Sequence, residues 1–171
     1  MNDIFAGFVV LEETIDGVLV SRNSSDAPTD ADSFPTFRVY GPEGLILDGT
    51  TTYLDSAAIT GATNANPIVI TSNGHGLTNG LRVVVAGVGG NTAANGTWTV
   101  ASVTANTFAL TSAIGNGAYT SGGTWHVVGM YRYEIDLTQA NGFASGQNYF
   151  VLFSFAISAA QNGVIHTFMV S

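Results

Sequence analysis

Met130-Tyr131-Arg132-Tyr133-Glu134-Ile135-Asp136-Leu137 alternates without a break, with Tyr131, Tyr133, Ile135 and Leu137 on one side and Arg132, Glu134 and Asp136 on the other. A period of two sustained over that length predicts a half-buried antiparallel strand. The next apolar run, Tyr149-Phe150-Val151-Leu152-Phe153-Ser154-Phe155-Ala156-Ile157, is apolar at both parities. That pattern predicts a central strand packed under a second sheet or against an oligomeric neighbour. Gly163 to Val170 completes a C-terminal hairpin, with its turn expected at Gln161-Asn162-Gly163 because an Asn-Gly pair takes positive φ at little cost. Upstream, Ile4 to Leu11, Val18 to Ser21, Thr36 to Tyr40 and Leu45 to Leu47 read as further strands. Asp16-Gly17 and Gly41-Pro42-Glu43-Gly44 read as turns between them. About seven short strands with almost no helical periodicity predict an all-β fold, an immunoglobulin-like β-sandwich, with a jelly roll as its competitor.

Composition agrees with this class and narrows the functions. The chain has 171 residues, 46% hydrophobic and 9% charged, which allows a sizeable core in one or two domains and excludes a disordered chain. Twelve acids face four arginines and no lysine, a net charge of −8. The cationic footprint that nucleic acids and anionic membranes require is missing, so neither is expected as a partner. Without cysteine there is no disulfide, thiolate metal site or cysteine nucleophile. Met1-Asn2-Asp3-Ile4-Phe5 begins with an acid where a secretory leader carries Lys or Arg, and no apolar run reaches the length of a bilayer span, so a soluble chain made inside the cell is expected.

Charge is distributed unevenly. Ten of the twelve acids lie between Asp3 and Asp55, and between Ser56 and Tyr131 the only charged side chain is Arg82. Two compositions in one short chain predict two modules. Because the acidic, aromatic-rich composition returns after the gap, the expected arrangement is a discontinuous sandwich, residues 1–56 plus 128–171, carrying residues 57–127 as an inserted Gly/Thr/Asn-rich small β-barrel. Within it, Pro67 to Thr71, Leu81 to Ala86, Gly96 to Val103, Thr107 to Thr111 and Thr124 to Val128 read as strands. Closure into a barrel would remove edges that a segment without lysine cannot protect.

Few residues invite a chemical reading. Asp26, Asp30 and Asp32 form an oxygen-rich loop, but it lacks the alternation, central glycine and distal glutamate of a calcium loop, so a solvated acidic connector is the expectation. His75, in Gly74-His75-Gly76, is expected to be a turn residue, and His126 and His166 fall in strands with no paired ligand. Glu12-Glu13 would point to opposite faces of one strand, and Glu134 with Asp136 lie along one solvent face, with no apolar pocket to raise one member's pKa as glycoside hydrolysis needs. Gly87-Val88-Gly89-Gly90 is followed by no cation and no helix start, so it is not expected to cradle phosphate. Ser24 stands in no nucleophile motif. Trp98, Trp125 and Tyr119 could form a stacking platform for sugars, although two tryptophans in so small a barrel are more commonly its core. No catalytic, cofactor-binding or metal residue is assigned, and no cofactor is expected.

Two resemblances bear on function. Ile59-Thr60-Gly61-Ala62, Asn73-Gly74-His75-Gly76-Leu77-Thr78-Asn79-Gly80, Asn95-Gly96-Thr97-Trp98-Thr99-Val100, Thr104-Ala105-Asn106-Thr107-Phe108-Ala109-Leu110 and Gly122-Gly123-Thr124-Trp125 together resemble a module of tailed-phage structural proteins. That module is compared with the first catalytic-cysteine half-domain of ubiquitin-activating enzymes. With no cysteine in the chain, the likeness implies only the small β-barrel architecture. Pro35-Thr36-Phe37-Arg38-Val39-Tyr40-Gly41-Pro42, Tyr131-Arg132-Tyr133 and Asn141-Gly142-Phe143-Ala144-Ser145-Gly146-Gln147-Asn148-Tyr149 are similar to immunoglobulin-like accessory proteins of phage virions. The resemblances imply a non-enzymatic component of a tailed-phage virion, assembled in the bacterial host cytoplasm. A capsid decoration or cement protein, or another head or neck accessory, is the expected role. Its partners would be other virion proteins, the major capsid or neck and tail subunits, with homo-oligomers in a symmetric assembly. The alternative is a receptor- or glycan-binding module of a tail or baseplate.

Overall fold

The computed structural model describes residues 7–171. The chain is all-β, with 51% in strands and no α-helix among the described residues. No helix there is long and apolar enough to cross a membrane. The first strands are β1 (Gly7–Val9), β2 (Thr14–Val20), β3 (Thr36–Gly41), β4 (Gly44–Thr50) and β5 (Thr52–Tyr53). They are followed by β6 (Ser56–Ala58), β7 (Gly61–Ala62), β8 (Ile68–Thr71), β9 (Arg82–Ala86), β10 (Gly96–Ala101), β11 (Thr107–Leu110) and β12 (Thr124–Val127). The chain ends with β13 (Met130–Asp136), β14 (Asn148–Ile157) and β15 (Ala160–Val170).

These strands form two compact units: unit 1, Met1–Thr52 with Gly129–Ser171, and unit 2, Tyr53–Val128. Unit 1 holds a sheet in the order β1-β15-β14-β3-β4, with β1 parallel to β15 and the other neighbours antiparallel. Its second sheet is built on β2 and β13, paired from Met130↔Val20 to Asp136↔Thr14, with the short β5 at its edge. Strand β13 behaves as its alternation demands: Tyr131 and Ile135 are buried, whereas Arg132, Glu134 and Asp136 are exposed. Strand β14 is the third of five in its sheet, and its odd-numbered residues from Tyr149 to Ile157 are all buried. Rings close the space between the two sheets. Tyr133 meets Phe153 at 4.7 Å between centroids, and Phe37 lies 6.3 Å from Tyr133 and 6.2 Å from Phe153. Two glycines make room for them. Gly17 is the cross-strand partner of Tyr133 and Gly49 that of Phe37, and a Cβ at either would fall on the facing ring.

The structure departs from three local expectations. The β14–β15 turn is Ser158-Ala159, with Ile157 paired to Ala160, and Gln161-Asn162-Gly163 lies inside β15. Asp16-Gly17 lies inside β2, where the glycine serves the Tyr133 ring rather than a turn. Glu12 and Glu13 precede β2 at a bend, with Glu12 at a φ of 68°, so they do not share a strand. The part of the Ile4 to Leu11 reading that falls on Ile4 to Ala6 lies outside the described residues.

Unit 2 is one seven-stranded sheet in the order β6-β12-β9-β10-β11-β8-β7. Its strands sit within a residue or two of the five expected ones, and two short strands, β6 and β7, were not anticipated. The core is Ile68, Ile70, Val83, Val85, Phe108, Leu110 and Trp125, all at most 2% exposed. The unit's first and last strands are neighbours, with Ser56 opposite His126 and the Val127 N–H donating to the Asp55 carbonyl at 3.1 Å. Adjacent antiparallel strands stand about 5 Å apart, so a short linker bridges the gap left by removing the unit. Deleting residues 56–128 and joining the ends with a short Gly-Ser linker should therefore leave unit 1 folded. Circular dichroism should show a β spectrum with a cooperative melt, and an aggregated or unfolded product at room temperature would sink this expectation.

Candidate functional site

The three aspartates of the loop after β2 do not converge. Asp30 Oδ1 accepts the Gly129 N–H at 2.7 Å. Asp32 accepts two amides of the β14–β15 turn, Ser158 N–H on Oδ1 at 2.9 Å and Ala159 N–H on Oδ2 at 2.7 Å. Ser158 and Ala159 have φ of 51° and 64°, the left-handed pair that a two-residue hairpin turn requires and that non-glycine residues resist. The Asp32 carboxylate offsets that cost with two charge-assisted hydrogen bonds. Asp26 lies 3.8 Å from Arg22, whose Nη1 also donates to the Asp26 carbonyl. Asp30 and Asp32 thus brace unit 1, while Asp26 stays solvent-exposed as a solvated connector predicts. Among the described residues no His, Asp and Glu side chains group as a metal set.

The histidines part company. His75 is 6% exposed: Nδ1 accepts the Leu77 N–H at 3.1 Å, which leaves Nε2 to donate to the Thr107 carbonyl at 3.3 Å. Both ring nitrogens are thereby occupied by backbone, and the ring edges contact Phe108 and Trp125. Expected as a turn residue, His75 is a buried part of the unit 2 core. His126 stacks on Tyr53 with centroids 3.7 Å apart and planes 12° from parallel. The His166 side chain lies outside the described residues.

The aromatic candidates do not form one platform. Trp125 is 2% exposed and its Nε1–H donates to Ser72 Oγ at 2.9 Å, which donates in turn to the Ala58 carbonyl. Trp98 is half-buried and donates to the Ala94 carbonyl. The Tyr119 hydroxyl lies within hydrogen-bond distance of the carbonyls of Ile59 and Gly122. In Gly87-Val88-Gly89-Gly90 the amides are also engaged, Val88 N–H with Asn95 Oδ1 and Gly89 N–H with the Ser121 carbonyl. Sequence reading missed Asn91, fully buried, whose Nδ2 donates to the Thr63 carbonyl while Oδ1 accepts the Asn116 N–H. A polar residue in a Gly/Asn-rich loop gives no sign in sequence that it will be enclosed.

Among the described residues, unit 1 has clefts at two places. One, of about 350 Å³, is lined by Phe37, Gly49, Thr50, Thr52, Arg132, Tyr133 and Glu134. Here Asp16 stands opposite Glu134 across the strand pair, and Arg132 Nε lies 3.4 Å from Asp16 Oδ1. Burial, and then the nearby Asp16 charge, push the Tyr133 phenol above its ordinary 10.0, so it stays a neutral hydroxyl at physiological pH. Asp136 accepts from Thr14 Oγ1 at 2.7 Å, and Glu12 Oε1 accepts the Gln139 N–H at 3.1 Å. The second cleft, of about 390 Å³, is lined by Arg22, Asn23, Ser24, Ile157, Ser158, Ala160 and Asn162.

The outward face of the five-stranded sheet contrasts with these polar braces. Tyr40 and Phe150 are cross-strand partners stacked at 4.9 Å, and Leu45, Phe150 and Ile165 are 52%, 40% and 55% exposed. This face was legible in part, because the β14 segment is apolar at both parities. What the arrangement offers is contact area, with most of the candidate acids committed to backbone amides, hydroxyls or arginines. No known family model matches the chain, and no curated protein matches it in sequence.

Proposed function

We propose that unit 1 is an immunoglobulin-like β-sandwich and unit 2 an inserted small β-barrel. On this reading the chain is a non-enzymatic structural component of a tailed-phage virion, a capsid decoration or cement protein or another head or neck accessory binding neighbouring virion subunits. The sandwich reading is supported by the strand order β1-β15-β14-β3-β4 against β2-β13-β5. It is supported further by Tyr149 near the start of β14, whose hydroxyl accepts the Ala144 N–H at 2.7 Å, as in the tyrosine corner of such sandwiches. For unit 2, the outermost strands β6 and β7 are separated in sequence only by Ile59 and Thr60. A flat seven-stranded sheet would hold its outer strands about 29 Å apart, whereas that connection reaches about 11 Å, which favours a sheet curled towards closure.

The observation that carries the functional reading is the exposure of Leu45, Phe150 and Ile165 beside the stacked Tyr40 on the outward side of β15-β14-β3-β4. A face of that kind is suited to binding other protein chains. Quantitative mass spectrometry of gradient-purified phage particles tests it. Hundreds of copies per particle are expected for a shell protein, against about six to a few dozen for a ring-forming neck or tail part. Absence of the chain from intact particles would refute the assignment.

A further inference from the structure

We propose that Asn73 is a modification site, the one Asn-Gly pair of this chain that the native fold leaves open to deamidation. The sequence holds six such pairs, beginning at Asn73, Asn79, Asn95, Asn116, Asn141 and Asn162. In each, the amide nitrogen of the glycine can attack the asparagine Cγ. Its N–H proton passes to solvent base and a C–N bond forms. The Cγ–Nδ2 bond breaks, and Nδ2 takes a proton and leaves as ammonia. Water then opens the five-membered imide at either carbonyl, giving aspartate or isoaspartate with no change of oxidation state. Glycine favours the step because it places no side chain beside the attacking nitrogen. The asparagine side chain must swing onto the backbone and the backbone must turn to meet it, so a hydrogen bond that holds either one raises the barrier.

Five of the six pairs are held. The Asn95 amide is tied at both ends to Val88, with Oδ1 accepting the N–H at 2.9 Å and Nδ2 donating to the carbonyl at 3.0 Å. Asn116 is tied in the same way, Oδ1 to the Ala93 N–H and Nδ2 to Thr92 Oγ1. Asn79 Oδ1 accepts the Val103 N–H, and the Gly80 N–H that would attack it donates to the Val100 carbonyl at 2.8 Å. Asn141 Nδ2 donates to the Asp136 carbonyl, and the Gly142 N–H donates to the Gln139 carbonyl. Asn162 sits inside the β14–β15 ladder opposite Phe155, with Nδ2 donating to the Ala160 carbonyl. Asn73 differs. It lies exposed in the turn after β8, and among the described residues its side chain makes no hydrogen bond. Gly74 has a φ of 62° and open space where a Cβ would stand, so the turn has room to rotate. One restraint remains: the Gly74 N–H donates to Oδ1 of the exposed Asn106 at 3.1 Å. That single exposed contact costs less to break than the paired restraints on the other five.

The product places a carboxylate in a stretch whose only charged side chain is Arg82. As isoaspartate it also lengthens the backbone by one carbon between Ser72, which receives the Trp125 Nε1–H, and the buried His75. This inference concerns the isolated chain and holds or fails independently of any place in a virion. Incubating the folded full-length protein in mildly alkaline buffer below its melting transition, with ion-exchange separation and peptide mapping by mass spectrometry, tests it. Deamidation at residue 73 should run at least about tenfold faster than at any of the other five, the factor that one well-placed hydrogen bond decides. In urea, where the restraints are gone, the six should react at comparable rates. Asn106→Ala frees the Gly74 N–H and should speed the reaction at Asn73 while leaving the other five unchanged. Asn73→Gln should abolish the early acidic species. Circular dichroism of each variant confirms that the fold is retained. A folded protein in which another pair reacts first, or in which none reacts while the urea-unfolded chain does, would overturn the proposal. A preference for residue 73 that persists in urea would overturn it too, by showing that sequence rather than fold selects the site.

Discussion

Phe153→Ala should remove about 3–5 kcal/mol from the stability of unit 1, the cost of deleting a fully buried aromatic ring from a site that cannot collapse. Phe153 is 0% exposed and lies between Tyr133 at 4.7 Å and Phe37 at 6.2 Å, so its loss opens a void where the two sheets meet. Its neighbours have little freedom to fill it, since the Phe37 ring is seated over Gly49 and the Tyr133 ring over Gly17. For a unit of roughly a hundred residues each kcal/mol shifts the melting temperature by about 4–8 °C, so the unit 1 transition should fall by at least about 12 °C. Differential scanning calorimetry on the full chain reads this directly. An unshifted transition would show that the ring cluster does not hold the sheets together.

Trp125→Ala should have a comparable effect on the other unit, again about 3–5 kcal/mol. Its ring is enclosed with Phe108 and His75, with edge-on contacts at 5.9 and 6.3 Å. It also holds Ser72 Oγ in the relay that ends on the Ala58 carbonyl. Trp125→Phe restores part of the volume but leaves the Ser72 hydroxyl without its donor, so its loss should be smaller than that of the alanine variant. The two alanine substitutions belong to different compact units and should act on different calorimetric transitions. A single transition lowered equally by both would mean that the units unfold as one.

The fold was most legible where hydrophobic period and tertiary burial impose the same demand. Strands β13 and β14 announce themselves because half their residues face a core, and the strands of unit 2 because apolar runs stand between Gly/Asn turns. Local turn chemistry misled where a distant group changed the balance. Asn162-Gly163 is the better turn in isolation, but Asp32, more than a hundred residues away, caps the amides of Ser158 and Ala159 and fixes the hairpin there. That choice sets the register of β15 on β14, which places Phe168 opposite Tyr149 and Ile165 opposite Leu152. Gly17 misled for a related reason: a glycine marks a turn or a place where a ring must lie, and only the cross-strand partner Tyr133 distinguishes the two. The aspartates were visible as a cluster, but their use as backbone acceptors depends on where Gly129 and the β14–β15 turn come to rest.

The parallel pairing of β1 with β15 has a mechanical meaning. Gly7 to Val9 run beside Phe168 to Val170 in the same direction, so the two chain ends leave this ladder from opposite ends. Tension applied through the termini pulls along the strands and loads these hydrogen bonds together, in shear. Unit 2 is placed differently, with Ser56 and His126 on adjacent antiparallel strands, so force reaching it peels one bond at a time. Because both of its ends are anchored within unit 1, it carries no tension until that unit yields. Stretching single molecules by their termini should therefore give one high-force event followed by a weaker one.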